Sequence, residues 1–324
     1  MNATGADSAG LCVSVVIPTH GREVVLCNTI GALLALKPPP FEIVVVDQTP
    51  QHEPATQDAL EGWAQGGHIT WLRRQPPSIP LAMNEGLLAS RGEIVLFVDD
   101  DVIPDPELVA AHARSWEAAA AAGVGLVAGR VVQPWDNEES AGSAGFSFAQ
   151  RAPAWVEHFM GGNFSVRRET ALRLGGFDEN FQGAAYRFEA EFADRLRRAG
   201  YKLCFEPAAS LHHLHAGSGG TRAAGHHLRT WKPHHAVGDY YHLMRSRPPG
   251  WVRQMVSRPL RSIRTRHHLR HPWWIVPTLV AETRGWWRAF RLRLRPPGTL
   301  TAARVASATT RAQDAGGEVS TRSR

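Results

Sequence analysis

Residues Gly92–Pro106 read GEIVLFVDDDVIPDP and place an apolar run directly before three consecutive aspartates. The run Glu93–Val98 is typical of a strand buried on both faces. In an open parallel sheet, ligands bind beyond the carboxyl ends of the strands, so Asp99–Asp101 are expected at a binding rim. One aspartate is enough to shape a turn, and a hard divalent cation would offset the repulsion among three. The cluster therefore indicates a Mg²⁺ or Mn²⁺ site, with a solvated turn as the alternative.

The residues before this stretch predict alternating strands and helices. Val13–Ile17 and Glu42–Val46 are short β-branched runs, and Glu23–Leu36 between them has apolar residues at helical spacing. His68–Leu72 is predicted as a third strand and Leu81–Ala89 as a helix. This alternation indicates an α/β fold with a mainly parallel central sheet.

The residues after the aspartates continue the same pattern. Pro106–Ala122 is predicted as a helix, with Asp105 as its N-cap, and Val124–Val132 as a strand. Arg167–Leu174 and Phe188–Ala199 are predicted as further helices, each followed by a glycine. Residues 136–150 are rich in Gly and Ser and are expected to form a mobile loop.

Charge divides the chain near residue 222. Residues 1–221 contain 16 Lys and Arg against 26 Asp and Glu, whereas residues 222–324 contain 20 against 4. We therefore predict a catalytic domain over 11–222, a basic, Trp- and Arg-rich helical extension over 223–297, and a disordered tail over 298–324. With 43% hydrophobic and 20% charged residues, the composition excludes wholesale disorder and a polytopic membrane protein.

The compartment is predicted from the cysteines and from the absence of targeting signals. The three cysteines are widely separated, which indicates buried free thiols in a reducing compartment. The first ten residues lack the pattern of a secretory signal, and the best apolar window, Trp273–Ala281, is too short to span a membrane. We expect a cytoplasmic protein, peripheral on the inner face of the cell membrane.

Two further groups of polar residues are candidates for chemistry. Glu189 and Glu191 are two positions apart, so on a helix at most one of them points into a given pocket. Three histidines, His212, His213 and His215, follow the segment Phe205–Leu211; taken alone, such a cluster is more often solvated than metal-bound. Neither GxGxxG nor a P-loop is present, which disfavours dehydrogenases and P-loop enzymes.

Several segments in a fixed order resemble the family 2 inverting glycosyltransferases of the GT-A fold. The segments are VSVVIPTHGR (13–22), EIVVVDQT (42–49), GEIVLFVDDDVIPDP (92–106), GGNFSVRRETALRLGGFDENF (161–181) and FEAEFADRLRRAGYK (188–202), with a histidine downstream. The resemblance covers nearly the whole acidic part of the chain. It implies a nucleotide-diphospho-sugar transferase fold and transfer of a sugar from a nucleotide-sugar donor to an acceptor hydroxyl.

The resemblance also implies a role for each matching residue. Glu189 would be the catalytic base, and Asp99, Asp101 and His213 would hold Mn²⁺ or Mg²⁺. The sugar-nucleotide site would include Pro18, Thr19, Arg22, Asp47, Asn84, Asp99 and Asp100, with Asp47 at the nucleobase. The sugar and acceptor pocket would include Gly162, Asn163 and Glu191.

This chain departs from the family pattern at two positions. Phe188 precedes Glu189 where the family usually has a second acidic residue, so the base lacks its acidic neighbour. Met83 precedes Asn84 where an arginine is common, which removes a cation from near the diphosphate. Arg73, Arg74 or Arg222 are the candidates to replace that cation.

Other functions and partners remain open at this point. A nucleotidyltransferase would also combine a nucleotide pocket with a carboxylate-bound metal, and a noncatalytic scaffold would tolerate both departures. Segment Trp251–Arg295 interleaves arginine with Trp, Leu, Ile and Val, which predicts contact with an anionic membrane surface that presents a lipid-linked sugar acceptor. Packing of those tryptophans on the catalytic domain is the alternative, and Pro259, Pro272 and Pro277 are expected to divide the segment. Nucleic acid is not an expected partner, because no nucleic-acid motif accompanies the charge.

Overall fold

The computed structural model describes residues 10–119, 122–136, 146–181, 183, 185–220 and 228–308. Strands and helices alternate through its first half: β1 (Val13–Thr19), α1 (Val24–Leu34), β2 (Glu42–Asp47), α2 (Pro54–Gln65), β3 (Thr70–Arg73), α3 (Ile79–Ala89), β4 (Ile94–Val98), β5 (Val102–Pro104), α4 (Leu108–Ala118) and β6 (Val124–Val132). The second half is mostly helical: β7 (Ala154–Val156), β8 (Asn163–Arg167), α5 (Arg168–Arg173), α6 (Phe188–Arg198), β9 (Lys202–His213), α7 (His234–Ser246), α8 (Trp251–Ile263), α9 (Arg266–Arg270), a 3₁₀ turn (Pro272–Trp274) and α10 (Ile275–Arg293).

The strands form a single mixed sheet in the order β3-β2-β1-β4-β8-β6-β9-β5, with β7 also paired to β9. Strands β1 to β4 are mutually parallel, and β6 and β9 run in the same direction. The other three strands, β5, β7 and β8, are antiparallel to their neighbours. The predicted α/β fold with a mainly parallel sheet is thus confirmed.

Helices cover both faces of the sheet because alternate residues of each central strand point to opposite sides. In β1, Val15 and Ile17 pack with α1, α2 and α4, whereas Val16 packs with α3, α6 and α7 on the other face. All of these strand positions are fully buried and apolar. Unbroken apolar runs such as VSVVI are what strands buried on both faces require.

Most predicted elements are present, with shifted ends. The helix predicted from Pro106 begins at Leu108, because Pro106 and Glu107 form a turn in which the Leu108 amide donates to the Asp105 carbonyl. Asp105 is therefore not its N-cap. Helix α2 and strands β5, β7, β8 and β9 were not predicted. The predicted loop 136–150 falls largely on residues 137–145, outside the described part of the chain.

The C-terminal helices pack on the sheet domain. Tyr240 and Tyr241 of α7 are fully buried in the core that contains Phe181, and Tyr241 donates a hydrogen bond to Asp178 at 2.7 Å. Among the described residues, no helix has both the length and the apolar character needed to cross a bilayer. The three cysteines carry free thiols and are half-buried, rather than fully buried as expected.

The prediction of disorder from residue 298 onward is wrong for residues 298–308. Leu300 is buried and its amide donates to the Gly175 carbonyl at 2.7 Å, and residues 302–308 are helical. Arg304 pairs with both Glu85 and Glu179 at 2.6 Å. Two ion pairs and one buried leucine hold a segment whose composition suggested no structure. Residues 309–324 lie outside the described part.

Candidate active site

A cavity of about 400 Å³ opens at the carboxyl ends of β1 and β4. Its lining includes the rim residues that the sequence predicted and several that it did not: Pro18, Thr19, His20, Arg22, Gln48, Pro77, Ser78, Ile79, Met83, Asp99, Asp100, Asp101, Gly183, His213, Gly220 and His234. The parallel arrangement of β1 and β4 places Pro18–Arg22 beside the aspartates, as expected for an open α/β sheet.

Three potential metal ligands converge in this cavity. One ligand atom from each of Asp99, Asp101 and His213 lies within 4.8 Å of the other two. His213 Nε2 is 3.0 Å from Asp101 Oδ1 and 3.7 Å from Asp99 Oδ2. Two carboxylates and an imidazole suit a divalent cation such as Mn²⁺, so the residues present fit the ion that the sequence predicted.

Pairing between β5 and β9 brings His213 to the aspartates. Val102 is the antiparallel partner of His213, so the residue that follows the aspartates in sequence fixes the histidine beside them. His213 Nδ1 lies 2.9 Å from Gln133 Oε1, and donation to that oxygen directs Nε2 toward the carboxylates. Gln133 follows β6 and was not predicted as a site residue. Nothing in its local sequence marks it.

The middle aspartate is bound by the protein itself. Asp100 accepts hydrogen bonds from Thr19 Oγ1 at 2.7 Å and from Arg22 Nε at 3.0 Å. Arg22 also donates to Asp101 Oδ2 at 3.0 Å and to the carbonyls of Ser218 and Ala216. Arg22 therefore offsets much of the repulsion within the cluster, which the sequence analysis had assigned to a cation alone.

The two outer aspartates differ in acidity. Nearly half of the Asp99 side chain is exposed, but the protein around it removes part of its hydration, and this loss together with the charge of Asp100 raises the pKa of Asp99 to about 6. Burial alone would also raise the pKa of Asp101. Hydrogen bonds from His213 and from the Ala216 amide, with the charge of Arg22, lower it instead. Asp101 is thus ionised in the fold, and Asp99 is the carboxylate that a cation would most stabilise.

Glu189 lies in the first turn of α6, next to this cluster. The preceding Arg187 has a left-handed backbone conformation, with φ of 75°, which turns the chain into the helix. A Cβ added at Gly161 would lie 3.1 Å from Glu189 Oε1, so the glycine leaves room for the carboxylate. Burial first, and then the negative charge of Asp99, raise the pKa of Glu189 to about 7. That electrostatic coupling links the predicted base to the metal cluster.

Gly162 lies directly against the Asp99 carboxylate. A Cβ at this position would lie 2.2 Å from Asp99 Oδ2, so any side chain here would displace that carboxylate. The Gly162 carbonyl also accepts a hydrogen bond from the Asp99 amide at 3.3 Å. Gly162 thus helps to fix the position of Asp99 and lies at the candidate site itself.

Two residues predicted for the sugar and acceptor pocket have structural roles instead. Asn163 is fully buried, and its side chain bonds His112 Nε2 and the carbonyls of Arg130 and Ala209 at 2.9 to 3.0 Å. Glu191 is buried with both oxygens within 3.0 Å of Arg195. Because Glu189 and Glu191 point in different directions from the helix, only Glu189 is near the cluster. The predictions for Asn163 and Glu191 are corrected accordingly.

Two residues predicted to bind the sugar nucleotide are likewise occupied within the fold. Asp47 is buried, accepts from the Thr49 amide at 2.8 Å, and contacts His52 Nε2 at 2.9 Å and Trp71 Nε1 at 3.1 Å. It does not line the cavity, whereas its neighbour Gln48 does. Gln48 in turn exchanges hydrogen bonds with the Ser78 backbone. The predicted nucleobase contact of Asp47 is therefore corrected.

Asn84 is the second of these residues. Its side chain is fully buried, accepts from the Phe177 amide at 2.7 Å and donates to the Phe177 carbonyl at 2.8 Å. It joins α3 to the segment before α6 and does not reach the cavity.

Of the candidates to replace the missing cation, Arg74 pairs with Glu85, Arg73 donates to the Pro50 carbonyl, and Arg222 lies outside the described residues.

Replacing Asn84 by alanine is expected to lower the free energy of unfolding by about 2 to 4 kcal/mol, because two buried backbone groups of Phe177 lose their partner. Urea denaturation of the purified variant measures this loss. Gln57→Ala, which removes an exposed amide on α2, is the control and is expected to change stability by less than about 0.5 kcal/mol. Equal stability of the Asn84 variant and the unaltered protein would contradict the structural role.

His234 belongs to the C-terminal part of the chain yet lines the same cavity. It lies at the start of α7, and a Cβ at Gly183 would lie 2.8 Å from its Nδ1. Burial and the nearby charges of Lys232 and Arg288 lower its pKa. His234 could not be recognised from the sequence, because nothing beyond residue 222 indicates that this helix folds back over the site.

A larger cavity of about 850 Å³ separates α6 from helices α7, α8 and α10. Part of its lining comes from residues that flank Glu189 in the sequence, namely Tyr186, Arg187 and Ala190. The candidate metal ligands Asp99, Asp101 and His213 line the smaller cavity and not this one.

Solved structures with the same fold include two glycosyltransferases. One is the mannosyltransferase PcManGT from Pyrobaculum calidifontis, solved with GDP-Man and Mn²⁺; the TM-score is 0.54 at 21% identity, over 94% of this chain and 87% of that chain. The other is GalNAc-T7, solved with UDP, GalNAc and Mn²⁺; the TM-score is 0.52 at 17% identity, over 64% of this chain and 44% of that chain. Both likenesses support the GT-A fold.

Curated relatives match at similar identity. The chain is 26% identical over 212 residues to the probable glycosyltransferase YdaM of Bacillus subtilis, covering 61% of this chain and 49% of that protein. It is 27% identical over 229 residues to the O-antigen biosynthesis protein RfbC of Myxococcus xanthus, covering 62% of this chain and 17% of that protein. It thus spans half or less of the length of these relatives. The family described as glycosyl transferase family 2 matches residues 14–175, half of the 324 residues, and the chain therefore belongs to that family.

Proposed function

We propose that this protein transfers a sugar from a nucleotide-sugar donor to an acceptor hydroxyl, with inversion at the anomeric carbon and with a divalent cation. The observation that carries the proposal is the convergence of Asp99, Asp101 and His213 in one cavity, with Glu189 electrostatically coupled to Asp99. Family membership supports the reaction class. The Mn²⁺ of both structural neighbours, with GDP-Man in one and UDP and GalNAc in the other, supports the choice of cofactor and donor.

The residues divide the work in the proposed reaction. Asp99, Asp101 and His213 would hold Mn²⁺ or Mg²⁺, which supplies positive charge to the leaving diphosphate. Arg22, with Thr19, fixes Asp100 and Asp101, so the ligand geometry is set before any substrate arrives. Pro18, Gln48 and the backbone near Ser78 line the rest of the cavity, where the nucleoside would lie.

Glu189 is the proposed base that takes the proton of the acceptor hydroxyl. A carboxylate with an ordinary pKa is a weak base at neutral pH, and burial beside Asp99 raises the pKa of Glu189 to about 7. A base is most effective when its pKa is near the working pH. One carboxylate suffices for a single displacement, and a single displacement inverts the anomeric carbon. Phe188 stands where the family usually has a second acidic residue, and its side chain packs in the core. Glu189 is still present as the base.

The acceptor that we propose is a sugar or a lipid-linked sugar in polysaccharide or glycolipid assembly, used at the inner face of the cell membrane. The relative named for O-antigen biosynthesis supports the pathway class. The basic C-terminal helices support a site next to anionic lipid. The expected partners of the protein are therefore a carbohydrate acceptor and a lipid surface, and not nucleic acid.

Screening a panel of nucleotide sugars for Mn²⁺- or Mg²⁺-dependent release of the nucleoside diphosphate tests the proposed function. We expect one or a few donors to be hydrolysed slowly without acceptor and faster with an acceptor sugar. Release of pyrophosphate from a nucleoside triphosphate would instead indicate a nucleotidyltransferase. No turnover of any donor, with nucleotide binding intact, would indicate a noncatalytic scaffold.

The transfer rate is expected to rise with pH through about 7, because Glu189 must be a carboxylate to accept the proton. Below that pH the base is protonated, and the rate should fall about tenfold for each pH unit. The measurement is kcat against pH at saturating donor and cation. Glu169→Gln, at an exposed position of α5, should leave the profile unchanged. A rate that is flat on both sides of about pH 7 would argue against Glu189 as the base.

A further inference from the structure

Helix α10 has its large apolar residues on the outside. Its buried face consists mainly of small residues, and Gly285 lies so close to α7 that a Cβ there would be 2.5 Å from Ala236 Cβ. A helix of a soluble protein normally buries its large apolar side chains and exposes its polar ones. In α10 several large apolar side chains instead remain exposed, and no other part of the described chain covers them.

The exposed apolar residues form one continuous stripe. They recur at spacings of four and three, which places them on a single helix face together with the half-buried Val280: Val276, Thr283, Trp287, Phe290 and Leu294. Leu294 is 72% exposed, Val276 62% and Trp287 54%. Thr283 is the one polar residue among them. Trp287 is therefore largely exposed, whereas the alternative expectation was that these tryptophans pack on the catalytic domain.

A stripe of arginines runs beside the apolar stripe. Four exposed arginines each follow a residue of the apolar stripe by one position, so they lie on the neighbouring helix face: Arg284, Arg288, Arg291 and Arg295. Within the described residues, none of the four forms an ion pair. Between Trp251 and Arg295 the chain has 11 basic residues and one acidic residue, Glu282, which is buried and paired with Arg258.

The prolines do not interrupt this surface. Pro277 is the third residue of α10, where the missing N–H has no partner within the helix, and the helix, 19 residues long, runs on to Arg293. The expectation that proline would divide the region is met only at Pro272, in the 3₁₀ turn before α10. A helix of this length offers a surface broad enough for an extended contact.

We propose that the outer face of α10 lies flat on an anionic membrane, with Val276, Trp287 and Leu294 in the headgroup region and the arginine stripe on lipid phosphates. Tryptophan and arginine side by side suit that region, where aromatic rings lie at headgroup level and cations meet anionic lipids. A second copy of the chain would place arginine stripe against arginine stripe, which charge repulsion opposes. Residues 309–324 include one large aliphatic residue, Val319, and offer little apolar surface for the stripe. This contact is independent of the proposed transfer reaction.

Co-sedimentation of the full chain with vesicles tests the contact. The vesicles are phosphatidylcholine mixed with the anionic lipid phosphatidylglycerol, and pure phosphatidylcholine serves for comparison. We expect binding to the anionic vesicles only, weakened by added salt. The double variant Arg288→Gln, Arg291→Gln should bind about fivefold more weakly for each arginine removed. The double variant Trp287→Ser, Leu294→Ser should bind more than about tenfold more weakly.

Matched controls separate a surface effect from a fold effect. Trp155→Ser removes a tryptophan of similar exposure, 62%, from β7 of the catalytic domain, and Arg114→Gln removes an exposed arginine from α4. Both should bind vesicles as the unaltered protein does, and all variants should keep the same circular dichroism and the same hydrolysis of nucleotide sugar.

Three results would overturn the proposal. One is equal binding of the α10 variants and the unaltered protein, and another is equal binding to neutral and anionic vesicles. The third is a dimer, seen by light scattering without lipid, that the Trp287→Ser, Leu294→Ser variant loses, since this would make the stripe an interface between copies. Loss of vesicle binding with hydrolysis intact supports the membrane contact, whatever sugar the enzyme transfers.

Discussion

Replacing Glu189 by glutamine is expected to lower kcat for transfer about a thousandfold while the affinity for the nucleotide sugar changes little. The amide keeps the shape of the side chain but cannot accept the proton of the acceptor hydroxyl. Glu189 is not among the residues that line the smaller cavity, so its loss leaves the proposed nucleotide contacts in place. The loss should therefore appear in turnover. Initial rates with saturating acceptor, together with calorimetric titration of the donor analogue, measure the two quantities separately.

Glu157→Gln is the control for this substitution. Glu157 is an exposed glutamate that lines the larger cavity, and its nearest cation, Arg197, is 3.8 Å away. Its amide variant should keep kcat within about twofold of the unaltered protein. A Glu189→Gln variant that kept its turnover and lost donor affinity would make Glu189 a binding residue, and the base would have to be sought elsewhere.

Replacing Asp99 by asparagine is expected to remove most cation binding and to lower turnover about a thousandfold, because stabilisation of the leaving diphosphate is worth several kcal/mol. The fold should survive, since nearly half of the Asp99 side chain is exposed and its closest charged partner is His213, at 3.7 Å. The neutral amide also removes a charge that raises the pKa of Glu189, so that pKa should fall, although burial keeps it above its ordinary value. Calorimetric titration with Mn²⁺ and initial rates measure the two effects.

Asp101 is a poorer choice for this test, although the sequence suggested it as an exposed rim carboxylate. In the structure it is 1% exposed and bonds Arg22, His213 and the Ala216 amide. Alanine at this position would leave a buried arginine with one partner fewer and would lower stability as well as activity. Asp105→Asn, which changes a partly exposed carboxylate beside His212 and outside the ligand cluster, is the matched control for Asp99. Full Mn²⁺ affinity in the Asp99 variant would refute the metal site.

The central sheet could be predicted because burial on both faces leaves a clear pattern. VSVVI, EIVVV and EIVLFV are runs that only a doubly covered strand requires, and each ends at the residues of the rim. Their parallel arrangement follows from the helices between them. The carboxyl ends of such strands meet at one edge, so the association of Pro18–Arg22 with Asp99–Asp101 was already determined by local sequence.

Roles within the site depended on contacts that the local sequence does not show. Asn84, Asn163 and Asp47 are polar residues next to apolar strands or helices, and a ligand or the protein's own backbone could equally well be their partner. The structure assigns all three to buried hydrogen bonds within the fold. Gln133 and His234 reach the site from β6 and α7 through chain reversals, so no spacing in the sequence could mark them.

The sequence by itself determined the order of strands and helices, the acidic cluster and its position at the end of β4. It also determined the strongly basic composition of the C-terminal helices, because each of these properties is carried by neighbouring residues. Only the tertiary structure decided which carboxylate oxygens Arg22 binds and which lie beside His213 in the candidate metal site. It also decided which face of α10 is buried. Both outcomes depend on which distant surfaces the chain brings together, since a side chain's pKa and exposure are set by its neighbours in space and not by its neighbours in the chain.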